Sequence, residues 1–180
     1  MPTYIALLRG INVSGKNKIK MADLRRSLSG LGYTGLQTYI QSGNIVFDAE
    51  AQDTGAVETA IAQCIQEDFG YEVPVLALTA QELEEIAAQN PFSEEAEADG
   101  RRMLLTLLNA PPAAGTVEQL DAKEYGSERY VVQGRVVYLH CPEGYGRAKL
   151  NNNFLERKLQ VPATTRNWKT VVKLLELAGR

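Results

Sequence analysis

The stretch from Thr38 to Phe47 reads Thr-Tyr-Ile-Gln-Ser-Gly-Asn-Ile-Val-Phe and predicts a β-hairpin. Two apolar runs flank the sequence Ser42-Gly43-Asn44. Gly43 can adopt a positive φ without a Cβ clash, and Asn44 tolerates the left-handed region better than most residues. We therefore expect strands over residues 36–41 and 44–47, joined by a tight turn.

The segments on either side of the hairpin complete a β-α-β-β-α-β order followed by a helix. Short apolar runs predict buried strands, whereas apolar residues three and four positions apart predict amphipathic helices. The elements are a strand at residues 4–8, a helix at 21–31, the hairpin, a helix capped by Thr54, a strand at 71–78 and a helix opened by Thr79 with Glu82 in a capping box. This order is that of the ferredoxin-like split βαβ fold, to which we assign residues 1–90.

A second hairpin at residues 130–138 aligns with the first at a shift of 91 positions. Tyr39 then matches Tyr130, and Gly43 matches Gly134. A strand at residues 103–108 and helices near 114–122, 152–159 and 168–178 repeat the order of elements around it. The predicted fold class is therefore α+β, with a ferredoxin-like N-terminal half and a second, related α+β half at residues 102–180. Residues 91–101 are acidic and poor in apolar residues, which favours a linker.

Composition is that of an ordinary globular protein, with 44% apolar and 23% charged residues. No apolar run approaches the ~20 residues of a membrane span, and the N-terminus lacks the stages of a secretory signal. The two cysteines, Cys64 and Cys141, cannot form a disulfide framework. We expect a cytoplasmic protein with no membrane partner, and the sequence leaves its oligomeric state open.

Charge is divided unevenly along the chain. Residues 1–26 carry six bases and one acid, residues 27–100 carry fourteen acids and no base, and residues 101–180 carry thirteen bases and seven acids. Two basic segments that share a surface would form a basic cleft. Solvated acidic faces on the helices within residues 51–68 and 81–99 explain the same pattern without a ligand.

The first candidate site combines the loop after the first strand with the hairpin turn. A right-handed crossover makes the first two strands run in the same direction, so both segments should lie at one end of the sheet. Polar turn residues and cations there suit a phosphate or a carboxylate; the predicted ligand-binding residues are Arg9, Asn12, Lys16, Ser42 and Asn44. Turn formers that only satisfy backbone groups are the alternative. The spacing is not a Walker motif, because Asn17 follows Lys16.

Two further candidates lie in the second half. Residues 144–149 include Arg147 and Lys149 before a helix opened by an asparagine, which suits an anion; an N-cap and a tyrosine lid are the alternative reading. Near the C-terminus, Arg166 offers a guanidinium to an anion, while Asn167 or Thr165 caps the last helix.

Chemistry at a metal or a cofactor is not indicated. His140 has no recognisable catalytic partner, and Cys141 lacks a second Cys/His pair with which to bind metal. We predict no metal site and no cofactor, and we assign no catalytic residue.

Three segments carry a resemblance to a known family: Arg9-Gly-Ile-Asn-Val-Ser-Gly-Lys-Asn-Lys-Ile-Lys-Met21, Tyr39-Ile-Gln-Ser-Gly-Asn-Ile-Val-Phe47 and Ala163-Thr-Thr-Arg-Asn-Trp168. Together they resemble the bacterial domain-of-unknown-function family numbered sixteen ninety-seven, whose pattern often has Gly where Ser14 stands. The resemblance implies a cytoplasmic α+β protein with a ferredoxin-like part, and it implies no established activity, cofactor or catalytic residue. It adds weight to the residues inside its motifs, namely Arg9, Asn12, Ser42, Asn44, Arg166 and Asn167.

Three functions fit these patterns. The leading hypothesis is a binder of an anionic, phosphate-bearing small molecule or of nucleic acid in a basic cleft. A phosphoryl or acyl-phosphate hydrolase would use Arg9 and the loop amides to hold phosphate, with Ser42 or Asn44 orienting water. A protein-interaction module without a ligand would expose a large apolar patch and no polar pocket.

Overall fold

The computed structural model describes all 180 residues and contains two four-stranded antiparallel sheets and seven α-helices. The chain forms two compact units. The first comprises Met1–Glu85 together with Val172–Arg180, and the second comprises Ile86–Val171. This division differs from the one drawn from the sequence, because the boundaries fall inside two helices and the last nine residues return to the first unit.

The first unit follows the predicted order of elements. They are β1 (Thr3–Leu8), α1 (Met21–Ser29), β2 (Thr34–Tyr39), β3 (Asn44–Asp48), α2 (Thr54–Phe69), β4 (Val75–Thr79) and the start of α3 (Ala80–Ala88). The strand order across the sheet is β2-β3-β1-β4, and all neighbours are antiparallel. It follows that β1 and β2 run in the same direction, with β3 between them.

The core of the first unit lies between one face of this sheet and the helices α1 and α2. Residues spaced four apart on α2, such as Val57 and Ile61, are fully buried, as are Leu24 and Leu28 on α1. This spacing places them on one helical stripe, as the sequence predicted. The amphipathic pattern therefore sets which face of each helix contacts the sheet.

The second unit repeats the arrangement after one additional helix. Its elements are α4 (Ser93–Ala98), β5 (Met103–Leu108), α5 (Ala114–Asp121), β6 (Arg129–Gln133), β7 (Val136–His140), a 3-10 turn (Tyr145–Arg147), α6 (Asn152–Leu159), β8 (Ala163–Asn167) and the first turn of α7 (Trp168–Leu177). The strand order is β6-β7-β5-β8, again with all neighbours antiparallel.

Equivalent hydrogen bonds show that the two sheets are related. The N–H of Leu8 donates to the carbonyl of Gly43 over 2.8 Å, and the N–H of Leu108 donates to the carbonyl of Arg135 over 2.8 Å. Each bond joins the last residue of the first strand of a unit to the residue directly before its third strand. The predicted α+β class with two related halves is thereby confirmed.

Several local boundaries differ from the sequence-based ones for physical reasons. The predicted acidic linker contains α4, whose first-turn carboxylates Glu94 and Glu95 favour the helix dipole and whose Ala96 is buried. Asp53 rather than Thr54 caps α2 by accepting from the N–H of Gly55. The strand predicted at 71–78 begins only at Val75, because Pro74 has no N–H to give to a ladder.

The longest helix, α2, has 16 residues, and none in the fold combines the length and the hydropathy that a membrane span requires.

Candidate functional site

The loop after β1 and the turn between β2 and β3 meet at one end of the first sheet. The side-chain amide of Asn12 donates to the carbonyl of Gln41 over 2.8 Å. The N–H of Leu8, the last residue of β1, donates to the carbonyl of Gly43. The structure therefore places these two segments side by side, which is the proximity that the strand directions predicted.

Asn12 organises the loop with its side chain. In addition to Gln41, its amide donates to the carbonyl of Ile19 over 2.9 Å, and its Oδ1 accepts from the N–H of Ile19 over 2.9 Å. The backbone N–H of Asn12 donates to the carbonyl of Asn17 over 3.2 Å, and Asn12 itself has φ 54°. Since both amide protons already have partners, Asn12 acts as a brace that holds residues 12–19 in place.

The tip of the loop is a tight turn that presents lysines. Val13 and Lys16 form an antiparallel bridge, and the N–H of Lys16 donates to the carbonyl of Val13 over 2.9 Å. Ser14 and Gly15 between them both have positive φ, 51° and 75°, as in a type I′ turn. The Cε of Lys18 lies 3.8 Å from where a Cβ on Gly15 would be, so the Lys18 side chain leans over the turn.

Three lysines of this region, Lys16, Lys18 and Lys20, are exposed and form no ion pair within the chain. We call the surface formed by residues 13–20 and 40–41 the lysine tip. Two aliphatic side chains on it are also exposed, Val13 at 56% and Ile40 at 49%. The lysine tip therefore combines uncompensated positive charge with exposed apolar carbon.

Ile40 has an unusual backbone. Its φ is 49°, a left-handed conformation that crowds a β-branched side chain. Such strain costs of order 1–3 kcal/mol and tends to occur at functional sites. No sequence pattern predicts this conformation, because isoleucine favours strands; the sequence predicts the positive φ at Gly43 and Asn44 instead.

The turn itself spans Ile40 to Gly43, since Tyr39 pairs with Asn44. Gly43 has φ 85°, as predicted, and a Cβ there would lie 2.8 Å from Leu8 Cβ and 2.8 Å from Ile11 Cδ1. Asn44 is not in the left-handed region: it is the first residue of β3 and is fully buried. Its amide donates to Tyr39 O over 2.9 Å and to Ser42 Oγ over 3.0 Å, so Ser42 and Asn44 hold the hairpin turn together.

Arg9 stands at the base of the same loop. It follows β1 directly and is half-buried, and its N–H donates to the carbonyl of Pro74 over 3.1 Å. Of the five residues predicted for the first site, Lys16 is thus the one that is fully exposed at the lysine tip.

Arg147 and Lys149 lie on the exposed loop after β7. The N–H of Lys149 donates to the carboxylate of Glu128 over 2.9 Å. The helix that follows has satisfied donors, because Asn151 Oδ1 accepts from Phe154 N over 2.9 Å and the Tyr145 hydroxyl accepts from Asn152 N over 2.8 Å. An anion at this helix N-terminus would have to displace these caps.

Arg166 and Asn167 end β8. Asn167 Oδ1 accepts from Thr170 N over 2.9 Å, so Asn167 caps α7. The Arg166 guanidinium donates to the carbonyl of Thr165 over 3.0 Å, and burial lowers its pKa to about 10. Ligand binding by Arg147, Lys149, Arg166 and Asn167 stays a prediction.

The predicted site in the first unit and the predicted residues Arg166 and Asn167 in the second lie at non-equivalent ends of the two related sheets. The lysine tip follows the C-terminal end of β1, whereas Asn167 pairs with Leu104 near the N-terminal end of β5. Residues 109–112, which follow β5 in the position of the loop after β1, read Asn-Ala-Pro-Pro and carry no charge. The lysine tip is therefore a feature of the first unit that its internal repeat lacks.

The remaining titratable groups form no metal site, since no three side chains of His, Cys, Asp or Glu converge. Cys141 is 1% exposed, and burial raises its pKa to about 12, so its thiolate is disfavoured. His140 lies 3.4 Å from the Arg129 guanidinium, and burial together with that cation lowers its pKa.

Comparison with known proteins gives a family and a fold. A search of curated proteins finds no match. The solved structure of a conserved bacterial protein, SP0830 from Streptococcus pneumoniae, is similar over 98% of each chain, with a TM-score of 0.77 and 24% sequence identity. That similarity supports the fold alone. The family model described as "Protein of unknown function (DUF1697)" matches residues 1–138, and the chain therefore belongs to the DUF1697 family.

Proposed function

We propose that the protein binds an anionic, phosphate-bearing ligand at the lysine tip. The observation that carries this proposal is the set of three exposed, unpaired lysines on a loop that Asn12 braces against the hairpin turn. Lysine ammonium groups are compact point charges that commonly bind phosphate. Bracing reduces the entropy that the loop would lose when it orders around a ligand.

The start of α1 adds backbone donors to this field, and the one acid of its first turn, Asp23, is paired with Arg26 at 3.3 Å. Lys20 occupies the N-cap position and makes no side-chain cap, unlike Asp53 at α2. The first-turn N–H groups of α1 therefore lack the side-chain acceptor that an aspartate or serine would supply. An anion near Lys20 would meet both the ammonium groups and the positive end of the helix dipole.

The test is ligand binding with charge-matched variants. We expect pyrophosphate and ATP to raise the melting temperature of the wild-type protein at low salt, because a ligand that binds only the folded state stabilises it by mass action. Lys16→Ala/Lys18→Ala should weaken binding about tenfold, or ~1.4 kcal/mol. Lys123→Ala/Lys169→Ala removes two exposed lysines elsewhere and should leave affinity unchanged.

Isothermal titration at about 25 mM salt, where exposed charges are weakly screened, measures both effects. Equal loss in the two double variants would mean that net charge rather than the lysine tip determines binding. Absence of any stabilisation by either anion would overturn the proposal.

A further inference from the structure

The residues of the lysine tip are exposed, apart from the half-buried Asn17 and the buried Ile19. Two cavities of the first unit lie elsewhere: one of about 730 Å³ along α2 from Asp53 to Gln63, and one of about 370 Å³ between α1 and α2 lined by Ser27, Cys64 and Glu67. Neither contains a residue of the lysine tip. Small ligands usually bind in concave sites that bury most of their surface. A long polyanion can instead lay successive phosphates against an open, exposed surface.

Arg25 adds a further cation on the helix that begins directly after the tip. Arg25 lies five residues after Lys20 on α1, which corresponds to about 7.5 Å along the helix axis. Its guanidinium donates to Thr38 Oγ1 over 2.6 Å, which fixes it beside β2, two residues before Ile40. This axial rise equals the length of about two nucleotides, at about 3.4 Å per nucleotide along one strand of a duplex.

The acidic middle of the first unit, residues 27–85, repels a polyanion. Residues 27–85 contain ten acidic residues and no lysine or arginine. A polyanion that approaches this unit is therefore attracted to the lysine tip and Arg25 and disfavoured by the remainder of residues 27–85. This charge complementarity favours one mode of approach.

Val13 and Ile40 supply the apolar part of the contact. Exposed aliphatic side chains contact sugars and thymine methyl groups, and in some proteins they wedge between base steps. The left-handed backbone at Ile40 holds this side chain outward at 49% exposure. Membrane-binding surfaces present Trp, Phe or Leu on their apolar side, and residues 13–20 and 40–41 contain none of these.

We infer that the lysine tip, extended by Arg25, binds nucleic acid through its phosphate backbone, with Val13 and Ile40 against sugars or base edges. This inference rests on the proposed function, because it names the class of ligand that the same surface takes. Its affinity should fall steeply with salt, since each neutralised phosphate releases condensed counterions.

The experiment is fluorescence anisotropy on the full chain with labelled oligonucleotides of about twenty nucleotides, as single-stranded DNA, duplex DNA and single-stranded RNA, across about 25–200 mM salt. Wild type should bind at least one of the three, and the arm that binds most tightly identifies the form recognised. Lys16→Ala/Lys18→Ala should reduce the slope of log K against log salt by about two. Lys123→Ala/Lys169→Ala should leave the slope unchanged.

A variant of the apolar side chains separates their contribution from that of charge. Val13→Ser/Ile40→Asn should weaken binding severalfold with an unchanged slope, because the change removes no cation and asparagine tolerates positive φ. Circular dichroism and a melting curve establish that each variant is folded. An unchanged affinity in this variant would overturn the role of Val13 and Ile40.

Parallel measurements with pyrophosphate and with phosphatidylserine vesicles distinguish the possible failures. Pyrophosphate binding that depends on Lys16 and Lys18, without oligonucleotide binding at about 25 mM salt, overturns this inference and leaves the proposed function standing. Vesicle binding without oligonucleotide binding overturns it in favour of a membrane surface. Binding of none of these probes overturns both.

Discussion

The side-chain amide of Asn12 donates to the backbone carbonyl of Gln41, 29 positions further along the chain, over 2.8 Å. The bond joins the loop after β1 to the turn between β2 and β3. The other amide contacts of Asn12, to Ile19, fold the loop onto its own base. The position of the lysine tip therefore depends on the uncharged side chain of Asn12.

Replacing Asn12 tests that dependence. Asn12→Ala removes three hydrogen bonds and leaves two carbonyls and one N–H without their partner, and we expect it to lower the free energy of unfolding by ~2–4 kcal/mol. Gln41→Ala is the matched control, because Gln41 accepts through its backbone and its side chain is exposed. We expect less than about 0.5 kcal/mol for the control in urea unfolding. Comparable losses in the two variants would contradict the role assigned to Asn12.

Alanine substitutions at Gly43 and Gly134 distinguish the cost of backbone strain from the cost of overpacking. Both have positive φ, 85° and 60°, and both lie in the turn of a hairpin. A Cβ at Gly43 would overlap Leu8 and Ile11 at 2.8 Å, whereas a Cβ at Gly134 would meet nothing within 4 Å. Gly134→Ala should cost ~1 kcal/mol from strain alone, and Gly43→Ala should cost ~1–3 kcal/mol more from overpacking.

Urea or thermal unfolding of the two glycine variants measures this difference. A glycine-to-alanine change at Gly115, within α5 and with nothing within 4 Å of its Cβ, provides a third reference that should stabilise the helix slightly. If Gly43→Ala were no worse than Gly134→Ala, the hairpin turn would tolerate displacement from β1.

Features that depend on residues close together in the chain could be predicted from the sequence. The capping box was predictable because Thr79 and Glu82 are three residues apart, and both of its bonds form: Glu82 N to Thr79 Oγ1 over 3.1 Å and Thr79 N to Glu82 Oε2 over 2.7 Å. The related halves were predictable from the repeated order of elements, but the hairpins do not match at the shift of 91: Arg135, not Gly134, takes the place of Gly43 directly before the third strand. The meeting of residues 9–20 with 41–44 followed from strand direction.

Other features depend on partners that are distant in the chain. An asparagine in a polar loop has the same sequence signature whether it braces the loop, as Asn12 does, or contacts a ligand. The left-handed backbone at Ile40 opposes the preference of its own side chain, and it lies in the turn that brings Gly43 against Leu8. The helix Ser93–Ala98 carries one such distant contact, the ion pair of Glu95 with Arg129, 34 positions away, at 2.7 Å.

Substitutions at Asn167 test whether its side chain caps α7 or binds a ligand. Because its Oδ1 accepts from Thr170 N, Asn167→Ala should cost ~1 kcal/mol in unfolding free energy, and Asn167→Ser should restore most of that loss. Thr79→Ala is the control at the equivalent end of β4 and should cost a similar amount. A serine variant that regains stability but loses anion binding would instead make Asn167 a ligand-binding residue.

His140, the one histidine in the chain, gives the fold a defined pH dependence. Burial and the nearby cations Arg129 and Arg102 lower its pKa below 6.5, partly offset by Glu95. The unfolded state then binds more protons than the folded state just below pH 6.5, so stability should fall as the pH drops through that region. His140→Gln should flatten this part of the profile.

Urea unfolding of wild type and His140→Gln between about pH 7.5 and 5.5 isolates the effect. Glu95 does not interfere in this window: the hydrogen bond from Arg129 lowers its pKa from 4.5, so the stability it contributes is present above pH 4.5 and is lost only at lower pH. A wild-type profile that stays parallel to that of His140→Gln, or that rises on acidification, would show that His140 is as easily protonated in the folded chain as in the unfolded one. The neighbouring Arg129 would then have to point away from the imidazole in solution.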